Sequence, residues 1–100
     1  MSIHVSRSIE ASTRRLFPNL SLEQALVQML LERAQKNLIK YQTMRRQFQD
    51  KYGVDFEVFR KKTLSSEPSQ EEEQDYFDWE LAVTGSADMQ AEIDQLRKSG

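Results

Sequence analysis

The sequence contains no cysteine and only one histidine, His4. Without cysteine, neither a disulfide framework nor the usual ligand sets of structural zinc and iron–sulfur sites can form. The three glycines, at positions 53, 85 and 100, have no Gly-x-Gly spacing, so a glycine-rich phosphate loop is absent. A single histidine near the N-terminus is also a poor candidate for a catalytic base. We therefore expect a protein that is not an enzyme and uses no metal and no cofactor.

Long hydrophobic runs are missing as well. The N-terminal stretch MSIHVSRSIEASTRR lacks the apolar run of a signal peptide, and no segment approaches the roughly 20 apolar residues of a membrane span. These absences predict a soluble, cytoplasmic protein that does not enter a membrane. With only 3 glycines and 2 prolines in 100 residues, the composition is typical of one small domain built from long helices.

Charge is distributed unevenly along the chain. Residues 1–63 carry a net charge of +6 and residues 64–100 carry −8. This asymmetry indicates two different partners, or one half folding against the other, and the alternative is that the charges are only solvated helix faces. We divide the chain into a basic N-terminal dimerisation and long-helix region (1–63), a linker (64–70) and an acidic, aromatic C-terminal helical arm (71–100).

The clearest periodic signal predicts a long central helix. Ser21 and Gln24 match a capping box, and Gly53 is a natural left-handed end after Tyr52. Between them runs a heptad seam of eight residues: Val27, Leu31, Ala34, Leu38, Tyr41, Arg45, Phe48 and Tyr52. A second cluster predicts broad burial of the first half of this helix: Leu22, Leu26, Met29 and Leu30. The sequence therefore predicts a mainly α fold in which shorter helices fold back on the long helix, as a coiled coil or a helical hairpin.

Three shorter helices are predicted around the long one. A short helix over residues 8–16 should end before Phe17-Pro18. Asp55 is placed to cap another over residues 54–62, and Ser69 with Glu72 forms a capping box at the start of the acidic segment. Thr84-Gly85-Ser86 is expected to interrupt that last helix, because glycine is a weak helix former.

The first residues show a period of two. Ile3, Val5 and Ile9 alternate with polar side chains, which predicts a short β-strand over residues 3–9 that pairs in a dimer. The alternative is a tail without regular structure. The order strand–helix–helix resembles ribbon-helix-helix repressors, although the outward-facing His4, Ser6 and Ser8 lack the Arg, Lys, Asn or Gln that usually reads bases. This resemblance gives a candidate DNA-contacting set: His4, Ser6, Arg7, Arg14 and Arg15.

The segment EEEQDYFDWELAVTG, residues 71–85, combines carboxylates with three aromatic rings. Either the rings pack on the seam of the long helix, or they contact another protein, since Tyr and Trp are enriched at binding hot spots. We expect Trp79 to fold inward, and the acidic face with Tyr76 and Phe77 to meet a partner. The full candidate partner-binding set is Glu72, Asp75, Tyr76, Phe77, Asp78, Trp79 and Glu80.

Two motifs, KYGVDFEVFRKK (51–62) and EEEQDYFDWELAVTG (71–85), resemble those of small bacterial and archaeal antitoxin-like proteins from two-gene toxin–antitoxin modules. The resemblance implies a non-catalytic protein whose acidic arm covers a basic toxin, such as a ribonuclease, and whose N-terminal half forms a homo-oligomer. Two alternatives remain open at this point: a DNA-binding repressor of the ribbon-helix-helix kind, which could regulate the same operon, and a self-assembling helical adaptor.

Overall fold

A computed structural model describes residues 6–99, which form four α-helices and no β-strand. The helices are α1 (Arg7–Leu16), α2 (Leu22–Tyr52), α3 (Phe56–Ser65) and α4 (Gln70–Ser99). The predicted mainly α architecture with a long central helix is confirmed. None of the helices in the described range is long and apolar enough to cross a membrane.

The ends of α2 lie where the capping signals place them. The Gln24 backbone N–H donates to the Ser21 hydroxyl at 3.1 Å, and the Ser21 N–H donates to the Gln24 side chain at 2.9 Å. These two bonds satisfy donors that a helix leaves unpaired at its first turn. At the other end, Gly53 has φ 68°, and its N–H donates to the Gln49 carbonyl. Glycine accepts this left-handed conformation without steric cost.

Helices α2 and α4 form an antiparallel hairpin, and α3 fills the corner between them. Tyr41 of α2 lies against Gly85 of α4, whereas Phe48, two turns further along α2, stacks on Trp79, which precedes Gly85. The seam predicted on α2 is therefore the surface that packs on α4, with Ala34 buried within it. Packing along the whole length of both helices gives a rod with extents of 59 × 24 × 24 Å.

The predicted interruption at Thr84-Gly85-Ser86 is wrong, because α4 continues without a break from Gln70 to Ser99. Gly85 instead allows close contact between the two long helices. A β-carbon built at this position would lie 2.7 Å from ring atoms of Tyr41. Packing against Tyr41 therefore requires a residue without a side chain at position 85. The close contact between the helices offsets the cost of glycine in a helix.

The predicted N-terminal strand is not formed by its described residues. Ser6 caps α1, because its hydroxyl accepts the backbone N–H of Ile9 at 3.3 Å, and Arg7 to Ile9 are already helical. Local capping therefore prevails over the short period-two pattern, which has no neighbouring strand among residues 6–99 to satisfy its hydrogen bonds. Residues 3–5 of the proposed strand lie outside the described residues. The predicted helix ending at Leu16 is confirmed.

The first half of α2 is less buried than its apolar pattern predicts. Ala25 is fully buried, and Leu22 and Leu26 are half-buried, but Met29 and Leu30 are 41% and 55% exposed. Helix α4 covers one side of α2, and the ten-residue α1 covers only part of the remainder. Within one chain, the second apolar cluster of α2 is consequently left incompletely covered.

Candidate protein-binding face on α4

Trp79 lies at the centre of an aromatic cluster where α2, α3 and α4 meet. Its side chain is 2% exposed. Four rings surround it at centroid distances of 5.2 to 6.1 Å: Phe48, Tyr52, Phe56 and Phe59. Aromatic pairs at this separation add stabilisation beyond their buried area. Trp79 therefore holds the three helices together, and its side chain is not available to a partner.

Asp75 joins the start of α4 to the end of α2. It accepts a short hydrogen bond from the Tyr52 hydroxyl and an ion-pair contact of 2.6 Å from Lys51, which also contacts Glu71 at 2.8 Å. Asp75 is nearly enclosed, with 14% of its side chain exposed, whereas Lys51 remains 43% exposed. Two side chains, those of Tyr52 and Lys51, thus satisfy a carboxylate that burial alone would destabilise.

The pKa values of this cluster follow from its contacts. Burial would raise the pKa of Asp75, but the hydrogen bonds from Lys51 and Tyr52 hold it below its usual range. Burial, followed by the bond to the carboxylate, raises the pKa of Tyr52 to about 12. The hydrogen bonds to Asp75 and Glu71 raise the pKa of Lys51. At neutral pH the cluster therefore contains a neutral Tyr52 phenol, a Lys51 ammonium group and an ionised Asp75 carboxylate.

Glu72 has a local structural partner. The Ser69 backbone N–H donates to the Glu72 carboxylate at 3.0 Å, and the Glu72 N–H donates to the Ser69 hydroxyl at 3.1 Å. These bonds complete the predicted capping box, and they lower the pKa of Glu72. Two features of the chain itself therefore account for the acidic first turn of α4. One is the capping box, and the other is the positive end of the helix dipole, near which negative charge is favoured.

The neighbouring rings Tyr76 and Phe77 lie in different environments. Tyr76 is half-buried and stacks on Phe56 of α3 with a centroid distance of 5.8 Å. Phe77 is 56% exposed. Its one aromatic contact within residues 6–99 is an edge-on contact with Tyr76, at a centroid distance of 5.6 Å. Tyr76 therefore links the aromatic core to an exposed Phe77 ring.

An acidic and apolar surface follows from this arrangement, and we call it the outer face of α4. Phe77 and Leu81 are one helical turn apart, and both are more than half exposed. Carboxylates at Glu73, Glu80 and Asp88 accompany them, all exposed and without an ion-pair partner in the range 6–99. The outer face comprises Glu73, Phe77, Glu80, Leu81, Thr84 and Asp88.

The candidate partner-binding residues are thereby separated into groups. Phe77 and Glu80 lie on the outer face, and Tyr76 borders it. Asp78 is half-buried and accepts a hydrogen bond from Gln74 at 3.1 Å, one turn earlier. The other three serve the fold: Glu72 in the capping box, Asp75 in the ion pair with Lys51, and Trp79 in the aromatic core.

The candidate DNA-contacting residues do not form a ribbon in the described range. His4 lies outside that range, and Ser6 is occupied as the cap of α1. Arg7, Arg14 and Arg15 are exposed on α1, where Arg15 donates to the Ser12 hydroxyl at 3.2 Å. These arginines belong to a helix rather than to an outward-facing strand, so the geometry of a ribbon-helix-helix reader is not present there.

Sequence reasoning did not include three residues that matter to this region. Leu81 was not placed in the candidate set, although its spacing of four from Phe77 is a direct helical signal. The sequence pattern places Tyr52 in the seam of α2 and Lys51 in its last turn, whereas both side chains also bind Asp75. No sequence period could have paired them with Asp75, because the contact spans more than 20 residues and depends on how α3 turns the chain.

Comparison of the chain with protein-family models, with curated proteins and with solved structures finds no match. The fold and the site therefore define only a class: an α-helical hairpin with an exposed acidic and apolar helix face. Within residues 6–99, no group of three or more His, Cys, Asp or Glu side chains is placed to hold a metal ion.

Proposed function

We propose that this chain is a non-catalytic protein-binding module, and most specifically an antitoxin that neutralises a basic toxin through the outer face of α4. One observation carries the proposal: Phe77 and Leu81 lie exposed side by side on a helix that its own aromatic core holds in place. Two large apolar side chains fixed on a rigid helix are typical anchors for a partner, because little conformational entropy is lost when they bind.

Charge indicates the chemistry of this partner. The outer face carries Glu73, Glu80 and Asp88, and helix α4 as a whole has a net charge of −7. A basic protein would be attracted to this surface, and the opposite charges would increase the rate of association at low ionic strength. A nuclease active site, which binds anionic RNA, presents the basic surface that such a face would cover.

The antitoxin assignment rests on a second, independent support, which is the resemblance of residues 51–62 and 71–85 to antitoxin-like proteins. Those two motifs contain Phe56, Phe59 and Trp79, which build the aromatic core, together with Phe77 of the outer face. The motifs thus combine the residues that hold α4 in place with those that we propose for binding.

A DNA-binding repressor of the ribbon-helix-helix kind is not proposed. That alternative depends on a paired N-terminal strand, and residues 6–9 are the cap and first turn of α1 instead. A self-assembling adaptor would need a surface for a second copy, which the outer face of α4 does not favour, because two copies of it would bring like charges together.

A growth assay tests the proposed function. The gene beside that of this chain is expected to encode a small basic protein that arrests growth when expressed alone, and co-expression of the wild-type chain should restore growth. The double variant Phe77→Ala/Leu81→Ala should fail to restore growth, because truncating two anchors weakens binding by about 2 kcal/mol or more.

The matched control is Ile39→Ala/Leu64→Ala, which truncates two apolar side chains of similar exposure, 63% and 65%, away from the outer face. This control should restore growth as well as the wild type does, with both variants present at equal levels in the cell. The proposal is overturned if the wild-type chain does not rescue growth, or if both double variants rescue it equally.

A further inference from the structure

One charged residue interrupts the apolar seam of α2. Arg45 occupies the seam position between Tyr41 and Phe48, which both contact α4. Its side chain is exposed, and within residues 6–99 it has no ion-pair partner. An apolar side chain would stabilise the seam of a helical hairpin better than a guanidinium group does. Neither packing nor an ion pair therefore explains the arginine at this position.

The hydroxyl of Ser86 on α4 is buried without a hydrogen bond. Ser86 is 5% exposed, and no group of residues 6–99 bonds to its oxygen. A hydroxyl inside a helix often donates to the carbonyl four residues earlier, as Thr43 does to Ile39 at 2.8 Å, but Ser86 does not. An unpaired buried hydroxyl is unfavourable, so a ligand that bonds to it would gain affinity.

Arg45 and Ser86 line the same groove between α2 and α4. The groove has a volume of about 330 Å³ and is open to solvent. Gln90 also lines it, but the side-chain nitrogen of Gln90 is already bonded to Asp94 at 3.1 Å. The remaining lining residues are Leu38, Gln42, Val83 and Ala87. A guanidinium group and an unpaired hydroxyl are thus combined with an apolar wall, formed by Leu38, Val83 and Ala87.

A second, polar depression of about 300 Å³ adjoins the groove along α2. Gln42 and Arg45 line both of them, and Arg46 and Gln49 complete the second. Arg46 also has no ion-pair partner within residues 6–99. No carboxylate of the described residues lines either depression. The polar end of the groove therefore presents two guanidinium groups whose charge the chain does not balance locally.

We infer that this groove binds a phosphate monoester of a small molecule that has an apolar or aromatic body. Arg45 can donate two parallel hydrogen bonds to phosphate oxygens, and the Ser86 hydroxyl can donate a third. A phosphate monoester carries more than one negative charge at neutral pH, which suits the second guanidinium group, that of Arg46. The apolar wall at Leu38 and Val83 suits the organic part of the ester, and the volume is that of a small-ligand site. The inference is independent of the proposed function, because it uses neither the outer face of α4 nor a toxin.

Titration of the ¹⁵N-labelled full-length chain with phenyl phosphate, followed by heteronuclear NMR, tests this inference. The backbone signals of residues 42–46 and 83–90 should shift and saturate with a Kd of about 1 mM or lower, which a ligand of this size can reach. Inorganic phosphate should bind at least about fivefold more weakly, because it cannot contact the apolar wall. Phenol, which lacks the anionic group, should cause no saturable shift.

Two variants separate binding from folding. Arg45→Met keeps an unbranched apolar stem in the seam but removes the guanidinium group, so the affinity for phenyl phosphate should fall at least about tenfold. Ser86→Ala removes one donor, so the affinity should fall at least about threefold. The urea midpoint of the unliganded Ser86→Ala chain should not decrease, because the hydroxyl has no partner to lose.

Arg33→Met is the matched control, because Arg33 is another exposed arginine of α2 without an ion-pair partner in residues 6–99, and it lies outside the groove. This control should bind phenyl phosphate within about twofold of the wild type, since distant sites act independently. The inference is overturned if phenyl phosphate causes no saturable shift up to about 10 mM, or if Arg45→Met binds it as well as the wild type does. It is also overturned if Arg33→Met weakens binding as much as Arg45→Met, or if inorganic phosphate binds as tightly as phenyl phosphate.

Discussion

At the scale of single residues, Phe77 and Trp79 show how position on a helix separates two environments. They are two positions apart, so their side chains point in nearly opposite directions, about 160° apart around the helix axis. Trp79 is 2% exposed within a cluster of four rings, whereas Phe77 is 56% exposed. The sequence places both in one aromatic segment, and the expectation that Trp79 folds inward agrees with its burial. Helical spacing alone could not decide which side faces α2.

Gly85 provides a test of the contact between the long helices. Gly85→Ala gains about 1 kcal/mol of helix propensity, but its new methyl group would meet the Tyr41 ring, and such overpacking costs about 1–3 kcal/mol. We expect a net loss of about 1 kcal/mol in the free energy of unfolding, measured by urea denaturation. In a Tyr41→Ala background, the same Gly85→Ala substitution should be neutral or stabilising, because the clash is removed. A Gly85→Ala variant that is more stable than the wild type would refute the close packing.

Asp75 links the stability of the fold to acid pH. Its folded pKa lies below the unfolded value, so its contribution is present above pH about 4 and is lost as the pH falls through the folded pKa. Asp75→Asn should lower the free energy of unfolding by about 1–2 kcal/mol at neutral pH, discounted for the exposure of Lys51. The difference from the wild type should shrink steadily below pH about 4, as urea denaturation at several pH values would show.

Glu73→Gln is the matched control for Asp75→Asn, because Glu73 is an exposed carboxylate of the same helix without an ion-pair partner in residues 6–99. It should change stability by less than about 0.5 kcal/mol. An effect of Asp75→Asn that stays constant down to the lowest pH would show that Asp75 does not act through its charge.

At the scale of elements, local capping signals predicted the boundaries, and tertiary contacts decided the rest. Three helix starts are marked by hydrogen bonds within a few residues: Ser21 with Gln24, Asp55, and Ser69 with Glu72. Because these bonds are local, the sequence alone is enough to predict where the helices begin. The predicted N-terminal strand is wrong for residues 6–9, because a strand needs a partner strand for its hydrogen bonds, whereas Ser6 caps α1 locally. The predicted break at Gly85 is wrong because this glycine makes room for the Tyr41 ring of another helix, which a local pattern cannot show.

At the scale of the whole molecule, the packing of the helices decides which charged and apolar side chains stay exposed. The sequence predicts helices that fold back on the long helix, but it leaves open whether the rings of the acidic segment pack on the seam or contact a partner. In the structure, α4 lies along α2. That packing uses Trp79 internally and leaves Phe77 and Leu81 outside. The same packing leaves the first turns of α2 partly uncovered. Which apolar residues stay exposed depends on contacts between distant residues, so composition and period could not show it.

The central claim is that Trp79 of α4 stabilises the fold, whereas Phe77, two positions earlier, binds a partner together with Leu81. The most direct test measures affinity for the product of the neighbouring gene by calorimetric titration, and stability by urea denaturation, on the same variants. Phe77→Ala/Leu81→Ala should weaken affinity at least about 30-fold, which corresponds to about 2 kcal/mol, and change stability by less than about 0.5 kcal/mol.

Trp79→Phe should give the opposite result in that measurement. The free energy of unfolding should fall by about 1–3 kcal/mol because the buried ring is reduced, while the affinity of the folded protein should stay within about twofold of the wild type. The account would be contradicted if Phe77→Ala/Leu81→Ala destabilised the chain strongly but left affinity unchanged.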